Sequence, residues 1–527
     1  MQRDALLGAA RAARNAGDLD LARQRCAELL ALDPRDAAAH VLLAEVEADA
    51  GDAAAGRRAA ERALALDSRS SAAHYVMGRL QELEGALPAA ESSYRYALRL
   101  DPGQARTHNN LGCVLHMQGR LEEAFACYRR AIEIDPGLPE ARQNYAAIAR
   151  DAEGIRFAAN GYRRQVQANP KDADAWTNLG NALRELGELD EAMAAFGRAL
   201  EAAPEHAEAR YSRSLLRLLR GDYAGGWPEH EASRWKLRSH EAQRARHPSP
   251  IWDGRPLPGG TILLHAEYGL GDTLQFVRYS RLVAGRCARV VLECQPGLVK
   301  LMRGVPGVDQ VVPLGEGVPD WDAHAPLMSL PAIFGTTLES IPWDGPYVRP
   351  MHHGADAPPP LPTAGGLRIG LAWAGRPENW DDRKRSISLE LLAPLADIPG
   401  ATYYSLQKGA AAAQAASPPP GMQLVDLNAV TRDFSDASYI GEFDLVISVD
   451  TSVAHLAGAM GAPTWVLVAY APDWRYHLGR NDNPWYPTMR LFRQPSDGDW
   501  PGAVAAVAAA LRALAARSVD QARTRVP

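Results

Sequence analysis

The 527-residue sequence predicts an array of α-helical repeats followed by an α/β region that consists of two parallel-sheet lobes. Two observations lead to this fold class. Prolines recur every 34 residues over the first 204 residues, and glycines recur with the same period halfway between them. After residue 220 the helical periodicity is replaced by short apolar runs separated by Gly and Pro, which is typical of buried strands.

The two series indicate a repeated helix–turn–helix unit, because a helix pair needs a positive-φ residue at its internal turn and a helix breaker before the next pair. The 34-residue period is that of the tetratricopeptide repeat, and the segments AWTNLG (175–180) and NNLG (109–112) resemble its consensus. Six repeats are predicted over residues 3–206, and an imperfect seventh reaches Trp227 and Trp235. The series are Pro34, Pro102, Pro136, Pro170 and Pro204, with Ser68 at the missing step, and Gly17, Gly51, Gly85, Gly119, Gly187 and Gly221, with Glu153 at the break.

A further regularity predicts how the two helices of a repeat pack. Small residues occupy one repeat position, and aromatic or small apolar residues follow four places later on the same helical face. Stacked repeats of this kind form a superhelix whose concave groove can bind a partner. The small residues are Ala22, Gly56, Ala90, Ala124, Ala158 and Ala192, and their partners are Cys26, Ala60, Tyr94, Tyr128, Tyr162 and Phe196.

Asn110, Asn144 and Asn178 share one repeat position on the first helix of successive units. Two interpretations stay open. The asparagines are consensus residues that bond within the repeats or face water, or they form a ladder that offers amide donors and acceptors to an extended peptide. The ladder resembles that in the superhelix of the protein O-linked N-acetylglucosamine transferases. The resemblance implies a groove that binds a protein or peptide acceptor.

Composition narrows the partners and the compartment. A net charge of −6 and a pI near 6.2 give no basic field, so nucleic acid is not expected as a partner. The five cysteines have neither metal-ligand spacing nor the pattern of a disulfide framework. The N-terminus lacks the apolar run of a signal peptide, and no stretch approaches the length of a membrane span. We therefore expect a cytoplasmic protein with no integral membrane segment.

The proline-rich segment APPPLP (357–362) separates two sets of apolar runs, so we predict two Rossmann-like lobes with a cleft between them. A single α/β domain with a long insertion is the alternative. The predicted domains are the repeats at 1–240, a first lobe at 241–350, a linker at 351–366, a second lobe at 367–515 and a tail at 516–527. The first set is Thr261–His265, Ala288–Glu293 and Asp309–Leu314, and the second set of strands and helices is Leu367–Trp373, Ser388–Ala396, Thr402–Leu406, Gln423–Leu427, Leu445–Val449, Val453–Met460 and Thr464–Val468.

The loop after the first strand, EYGLGDT (267–273), leads into a predicted helix. Gly269 and Gly271 let the backbone turn tightly and approach a ligand. Asp272 stands at the start of the helix, where aspartate is most commonly a helix cap. The alternative is a carboxylate that faces the cleft.

The second lobe offers an anion site after the strand Leu445–Val449. The N–H groups at the start of the next helix and the hydroxyls of Thr451 and Ser452 form the kind of site that a diphosphate occupies in an α/β lobe. Two basic segments can complete it, with solvated surface as the alternative for each. They are DDRKRS (381–386), which contains Arg385, and Gln407-Lys408-Gly409.

The pairing of the GLGD loop with DTSVAHLAGAMGAPT (450–464) resembles the heptosyltransferase family of lipopolysaccharide synthesis, over roughly residues 260–515. The resemblance implies the two-lobed GT-B fold and an inverting, metal-independent transfer of a hexosyl or heptosyl group from a nucleotide-diphosphate sugar, with no further cofactor. It implies that Asp272 is the catalytic base. If Asp272 is only a helix cap, Glu267 in the same loop is the next candidate. The candidate donor-binding residues, taken from these loops and from the resemblance together, are Gly269, Gly271, Arg385, Gln407, Lys408, Asp450, Thr451, Ser452, Val453 and His455. A packed structural role is the alternative for His455.

Three classes of function fit these patterns. The first is a glycosyltransferase whose repeats recruit a protein or peptide acceptor. The second is a binding module that senses a nucleotide sugar without transferring it, and the third is a sugar-nucleotide epimerase of similar fold. Mutation of Asp272 separates the first two, because a sensor needs no base. Product analysis separates the first and third, because an epimerase alters the free sugar nucleotide without an acceptor.

Overall fold

The computed structural model describes residues 2–148, 152–237, 246–247, 250–349, 361, 366–377, 382–428 and 439–524. The chain divides into two compact units, Met1–Arg163 and Arg164–Pro527. The dividing point lies within a helix of the repeats, so the last two helix pairs belong to the same unit as the α/β region. The predicted linker at 351–366 lies outside the described residues, apart from Leu361 and Gly366.

The described part of the first 237 residues forms helix pairs, as the repeat pattern predicts. All six glycines of the glycine series have φ between 73° and 82°, which confirms that each occupies the internal turn of a pair. Aspartates cap several of the helices, for example Asp52, whose side chain accepts the N–H of Ala55 at 2.9 Å. The helices are α1 (Gln2–Asn15), α2 (Leu19–Leu32), α3 (Ala37–Ala50), α4 (Ala53–Leu66), α5 (Ser71–Leu83), α6 (Leu87–Leu100), α7 (Ala105–Met117), α8 (Leu121–Ile134), α9 (Pro139–Ile148), α10 (Ala152–Ala168), α11 (Ala173–Glu185), α12 (Leu189–Ala202), α13 (Ala207–Leu219) and α14 (Tyr223–Arg234).

The predicted small residues Ala90, Ala124 and Ala192 are fully buried, and the aromatic residues four places later pack against glycines that the sequence analysis did not single out. Tyr94 is fully buried against Gly78 of the preceding helix, where an added Cβ would lie 2.6 Å from the ring. The same arrangement recurs two more times, at Gly112 with Tyr128 and at Gly180 with Phe196. In the fifth repeat, which lacks the turn glycine, Ala158 and Tyr162 are only half-buried.

The first sheet has four described strands, all parallel, in the order β3-β2-β1-β4. Its centre is apolar, with Leu263, Val291 and Val312 packed together. The three predicted strands are present, whereas the fourth was not foreseen because its sequence, AHAP, is short and carries a histidine. The elements are β1 (Leu257–His265), α15 (Leu270–Phe276), α16 (Ser280–Ala284), β2 (Cys287–Cys294), α17 (Val299–Met302), β3 (Gln310–Pro313), β4 (Ala323–Pro326) and α18 (Leu330–Ile333).

The second sheet has six described strands, all parallel, in the order β10-β9-β8-β5-β6-β7. The last helix of this region packs on the sheet, and its residues up to Ala515 belong to the hydrophobic core. The helix continues to Thr524, beyond the predicted domain boundary at residue 515. The predicted element Ser388–Ala396 is a 3₁₀ turn at Leu389–Leu395. The elements are β5 (Leu367–Ala372), α19 (Asp382–Arg385), β6 (Ala401–Ser405), β7 (Leu424–Asp426), β8 (Leu445–Val449), α20 (Ser452–Ala459), β9 (Thr464–Val468), β10 (Met489–Arg493) and α21 (Trp500–Thr524).

The seventh repeat forms part of the core of the α/β region. Trp227 of α14 is 1% exposed, and its ring centroid lies 5.1 Å from that of Trp474 and 6.3 Å from that of Phe276. The indole N–H of Trp485 donates to the hydroxyl of Tyr223 at 2.8 Å. Phe276 follows the first strand of the first sheet, and the two other tryptophans follow β9 in the second. This cluster therefore joins the last repeat to the segments that follow strands of both sheets.

Candidate functional site

The strand order of both sheets indicates where a ligand is expected to bind. Numbered from its own first strand, the second sheet has the order 3-2-1-4-5-6, which is that of doubly wound sheets that bind nucleotides. In such sheets the ligand lies beyond the carboxyl ends of the two strands at which the order reverses, here β5 and β8. The first sheet reverses in the same way between β1 and β4. Asp272 follows β1 and Asp450 follows β8, so both lie at these positions.

Asp272 is both a helix cap and an ion-pair partner. Its Oδ2 accepts the backbone N–H of Gly269 at 3.0 Å, so Asp272 caps the helix from its third position, while the N-cap residue itself is Gly269. Its Oδ1 accepts a hydrogen bond from the guanidinium of Arg475, which lies between β9 and β10. Burial raises the pKa of Asp272, and the positive charge of Arg475 opposes that rise. The carboxylate is thus held at the junction of the two lobes.

Arg475 was missed by the sequence analysis. Its Nη1 donates to Asp473 at 2.9 Å and its Nε donates to the side-chain oxygen of Gln275 at 2.8 Å. The guanidinium lies over the ring of Trp474, 4.5 Å from its centroid, and the side chain is only 11% exposed. Arg475 therefore ties the segment after β9 to helix α15 of the first lobe.

The start of α20 is capped from within the chain, which corrects part of the predicted anion site. The Thr451 Oγ1 accepts the N–H of Val453 at 3.3 Å and lies 3.0 Å from the Ser448 hydroxyl. The N–H of Ala454 donates to the Thr451 carbonyl at 3.1 Å. The Thr451 hydroxyl and the Val453 N–H are thus hydrogen-bonded within the chain and are not presented to a ligand. Ser452, the first residue of the helix, stays partly exposed.

Asp450 gathers several of the predicted donor residues. Its Oδ1 accepts the hydroxyl hydrogen of Tyr476 at 2.7 Å and lies 3.9 Å from His455 Nε2. Its Oδ2 lies 3.8 Å from Arg385 Nη1. The Nε of Arg385 is buried and finds no hydrogen-bond partner among the described residues. The loop after β8 therefore carries a carboxylate next to the Arg385 guanidinium, whose Nε also lies 3.6 Å from Asp382 Oδ1.

His455 packs between the lobes. Burial, followed by the positive charge of Arg475, lowers the pKa of His455 to about 3, so the ring is neutral near pH 7. Its Nδ1 lies 3.0 Å from the Tyr486 hydroxyl. An added Cβ on Gly271 would lie 2.8 Å from the His455 ring. Gly271 thus permits close contact between α15 and α20, rather than the predicted approach to a ligand.

Gln407 does not fit its predicted role. Its Oε1 accepts the N–H groups of Trp373 and Ala374, each at 2.9 Å. Its Nε2 donates to the carbonyls of Ala374 and Lys408, at 2.8 and 2.9 Å. Because the amide has two donors and two acceptor positions, none remains for a ribose or a phosphate. Gln407 fixes the ends of β5 and β6, while Lys408 beside it is exposed.

Glu267, the reserve candidate for the base, lies in a buried ion-pair network. Its Oε1 accepts from Arg234 of α14 at 2.7 Å, and Arg234 also donates to Ser329 at 2.6 Å. The Arg234 side chain is 0% exposed and that of Glu267 is 2% exposed. Burial raises the pKa of Glu267 to about 7, against the lowering effect of Arg234. The network fastens the seventh repeat to the first lobe and holds Glu267 in a buried ion pair.

The three asparagines of the predicted ladder have different surroundings. Asn110 donates to the Tyr75 hydroxyl at 3.4 Å, and Asn144 donates to Asn109 at 3.0 Å. Both bonds reach the first helix of the preceding repeat, so they join neighbouring repeats rather than lying within one. Asn178 lies on α11 in the second unit and is exposed.

Other features of the described residues lie away from these loops. No group of three His, Cys, Asp or Glu side chains within these residues is arranged to hold a metal ion. None of the helices traced there combines the length and the apolar character that a bilayer span needs. A hollow lined by Ala396, Gly400 and Gln423 lies at the amino ends of β6 and β7, and we assign it no role.

Comparisons with known proteins identify the repeats. Sequence models of the tetratricopeptide repeat match residues 7–68, 45–105, 105–138 and 173–206. Protein FlbA of Caulobacter vibrioides is 26% identical over 337 residues, which cover 58% of this chain and 55% of that protein. The chain thus spans about half the length of this relative. The matches to the repeat models show that the first part of the present chain is a tetratricopeptide-repeat solenoid. Solenoids of this kind have concave surfaces that bind proteins or peptides.

Solved structures also resemble part of the chain. The crystal structure of MamA is 23% identical, covers 38% of this chain and 96% of its own, and has a TM-score of 0.23. A thermophilic tetratricopeptide-repeat protein of Thermus thermophilus is 19% identical, covers 41% of this chain and 99% of its own, and has a TM-score of 0.24. Scores this low have no bearing on function.

Proposed function

We propose that the chain is an inverting, metal-independent glycosyltransferase of the two-lobed GT-B type. It uses a nucleotide-diphosphate sugar and recruits a protein or peptide acceptor through its repeats. One observation carries the proposal: the loop after β1 and the helix after β8, which both lie where the strand order reverses, are in contact. Gly271, beside Asp272, packs on His455, which lies near Asp450. A carboxylate on one side and a helix N-terminus flanked by Arg385 on the other are groups that sugar transfer requires.

In the proposed reaction Asp272 takes the proton of the acceptor hydroxyl. The oxygen of that hydroxyl attacks the anomeric carbon of the donor at the same time. The bond between that carbon and the diphosphate oxygen breaks, and its electron pair leaves with the nucleoside diphosphate. Attack from the face opposite the leaving group inverts the configuration. We assign three groups to stabilise the negative charge that develops on the leaving diphosphate. They are the N–H of Ser452, which has no acceptor within its own helix, and the side chains of Arg385 and Lys408.

The acceptor half of the proposal is supported by the repeats that share a unit with the α/β region. Glu185 at the end of α11 pairs with Lys384 at 2.9 Å, next to Arg385. The turn glycine Gly187 lies against Tyr470, which follows β9. A peptide that runs along α11 past Asn178 would therefore end close to the loop that carries Arg385.

A ligand screen tests the donor class. Thermal unfolding is followed with UDP, GDP, ADP and CDP, with sugars attached to each, and with the matching monophosphates as controls. A nucleotide at one hundred times its dissociation constant should add about 2.7 kcal/mol to the free energy of unfolding. We expect one diphosphate series to raise the melting temperature and its monophosphate to raise it less. No shift with any diphosphate at millimolar concentration would contradict the proposal.

A further inference from the structure

The contacts of Arg475 differ in how firmly each is held. Asp473 belongs to the same turn as Arg475, and its carboxylate also caps that turn by accepting the Arg475 backbone N–H at 2.9 Å. Gln275 offers a neutral oxygen to Nε. Asp272 comes from the other lobe and contacts the guanidinium through Nη2 alone. The contacts to Asp272 and Gln275, both from helix α15, can break without disturbing the turn that positions Arg475, and of these two partners only Asp272 carries a charge.

Asp272 would keep its place if Arg475 were withdrawn. Its second oxygen is held by the Gly269 N–H at 3.0 Å, so the carboxylate stays anchored to the first turn of α15. A carboxylate bound to a guanidinium is a weak base, because the positive charge favours its ionised form. The ion pair therefore holds a base that is correctly positioned but unreactive.

The surroundings of Asp450 show where a competing anion would enter. Asp450 is contacted by Tyr476, the residue after Arg475, and by Arg385. His455, one turn into α20, packs on Gly271 beside Asp272, and its Nε2 lies 3.9 Å from Asp450. A diphosphate at the start of α20 would therefore come within reach of both guanidinium groups, and phosphate is a bidentate partner for arginine.

We propose that Arg475 exchanges partners when the donor binds, so that the diphosphate replaces Asp272 on its Nη2 and releases the carboxylate to act as the base. This inference rests on the proposed function. Arg475 is in this account a positioning residue for Asp272 and a contact of the leaving group. No proton or electron moves in the exchange, because one charge-assisted hydrogen bond replaces another. The base is thereby released only when a diphosphate occupies the site.

The exchange makes Asp272 a competitor of the diphosphate for Arg475, and calorimetric titration measures that competition. Inorganic pyrophosphate, UDP, GDP, ADP and CDP are titrated into the full chain as wild type, Asp272→Asn, Arg475→Gln and the double variant. Removing the competing charge should tighten diphosphate binding about tenfold in Asp272→Asn, and removing the guanidinium should weaken it about tenfold in Arg475→Gln. In the double variant the gain from Asp272→Asn should shrink to less than about twofold.

Controls separate a loss of folding from a loss of coupling. Arg475→Lys keeps the charge and should recover part of the affinity, and melting curves establish that each variant is folded. The matched control pair is Arg480→Gln with Asp482→Asn, because these residues form an ion pair at 2.6 Å outside the site. Both control variants should bind diphosphate within about twofold of wild type.

The outcomes distinguish the inference from the function on which it rests. Tighter binding by Asp272→Asn that disappears in the Arg475→Gln background supports the exchange. Unchanged binding by Asp272→Asn, or a gain that persists without Arg475, overturns the exchange while leaving the donor class intact. Failure of every probe to bind the wild type removes the proposed donor, and the exchange is rejected with it.

Discussion

Replacing Trp227 by alanine should destabilise the whole α/β region, although the residue lies in the last repeat. The indole ring is 1% exposed and lies edge-on to the rings of Trp474 and Trp485, with centroids 5.1 and 6.4 Å away. Trp→Ala in a core costs about 3–5 kcal/mol, because transfer energy is lost and a cavity remains. The Trp227 N–H is buried with no hydrogen-bond partner among the described residues, so Trp227→Phe removes an unsatisfied donor. We expect Trp227→Phe to cost about half as much.

Urea unfolding of the full chain, followed by near-ultraviolet circular dichroism, measures the effect on the unit that holds the α/β region. The matched control is Trp176→Ala on α11, whose ring is half-buried and whose N–H reaches the Pro170 carbonyl at 3.0 Å. We expect the control to cost about 1 kcal/mol. For the same reason a chain that begins at residue 241 should not fold, since it also leaves Glu267 buried without Arg234. A Trp227→Ala cost no larger than that of the control would refute the shared core.

Three further predictions follow from the site and its surroundings. The free energy of unfolding should fall as the pH drops from about 6.5 towards 5. Buried histidines with a lowered pKa stay neutral in the folded chain over this range, whereas the same histidines take up protons in the unfolded chain. Each such histidine contributes up to about 1.4 kcal/mol per pH unit. The histidines are His455, His477 and His265, and burial lowers the pKa of His455 to about 3, that of His477 to about 4 and that of His265 well below its usual value. Urea unfolding at pH 7.5, 6 and 5 checks this prediction, and equal stabilities would contradict it. Ser452→Asp should weaken diphosphate binding by calorimetry at least tenfold, about 1.4 kcal/mol, without loss of folding, since aspartate suits a helix start, whereas Lys408→Ala should cost less. Alanine at all three ladder positions should raise KM for a macromolecular acceptor while leaving donor hydrolysis intact, and unchanged KM would leave only the consensus role of Asn110, Asn144 and Asn178.

Local rules predicted the repeats well. A glycine in the internal turn of a helix pair needs positive φ whatever surrounds it, so the glycine series could be read directly from the sequence. The strands β1, β5 and β8 were equally clear, because strands of a parallel sheet are buried on both faces and form apolar runs. The short strand β4 gave no such signal.

The site was harder to predict because its hydrogen bonds join distant parts of the chain. Arg475 meets Asp272 across 203 positions, and no local pattern distinguishes it from other arginines. Gln407 was misassigned because a polar residue after a strand suits a ligand contact and an internal clasp equally well. The capping of α20 by Thr451 was knowable in principle, since threonine before a helix commonly accepts the N–H two residues later.

Sugar transfer by Asp272→Asn is the most direct test of the account. The variant keeps an oxygen that can cap α15 but lacks a base, and Asp172→Asn, a cap of α11 remote from the site, is the matched control. With the donor found in the screen, transfer to the natural acceptor and donor affinity are measured in parallel. The account predicts a melting temperature within a few degrees of wild type, donor affinity that is not reduced, and a transfer rate about 10²–10⁴ lower, with a normal rate in the control. Transfer by Asp272→Asn at the wild-type rate would contradict the account, because Asp272 would then be a helix cap alone.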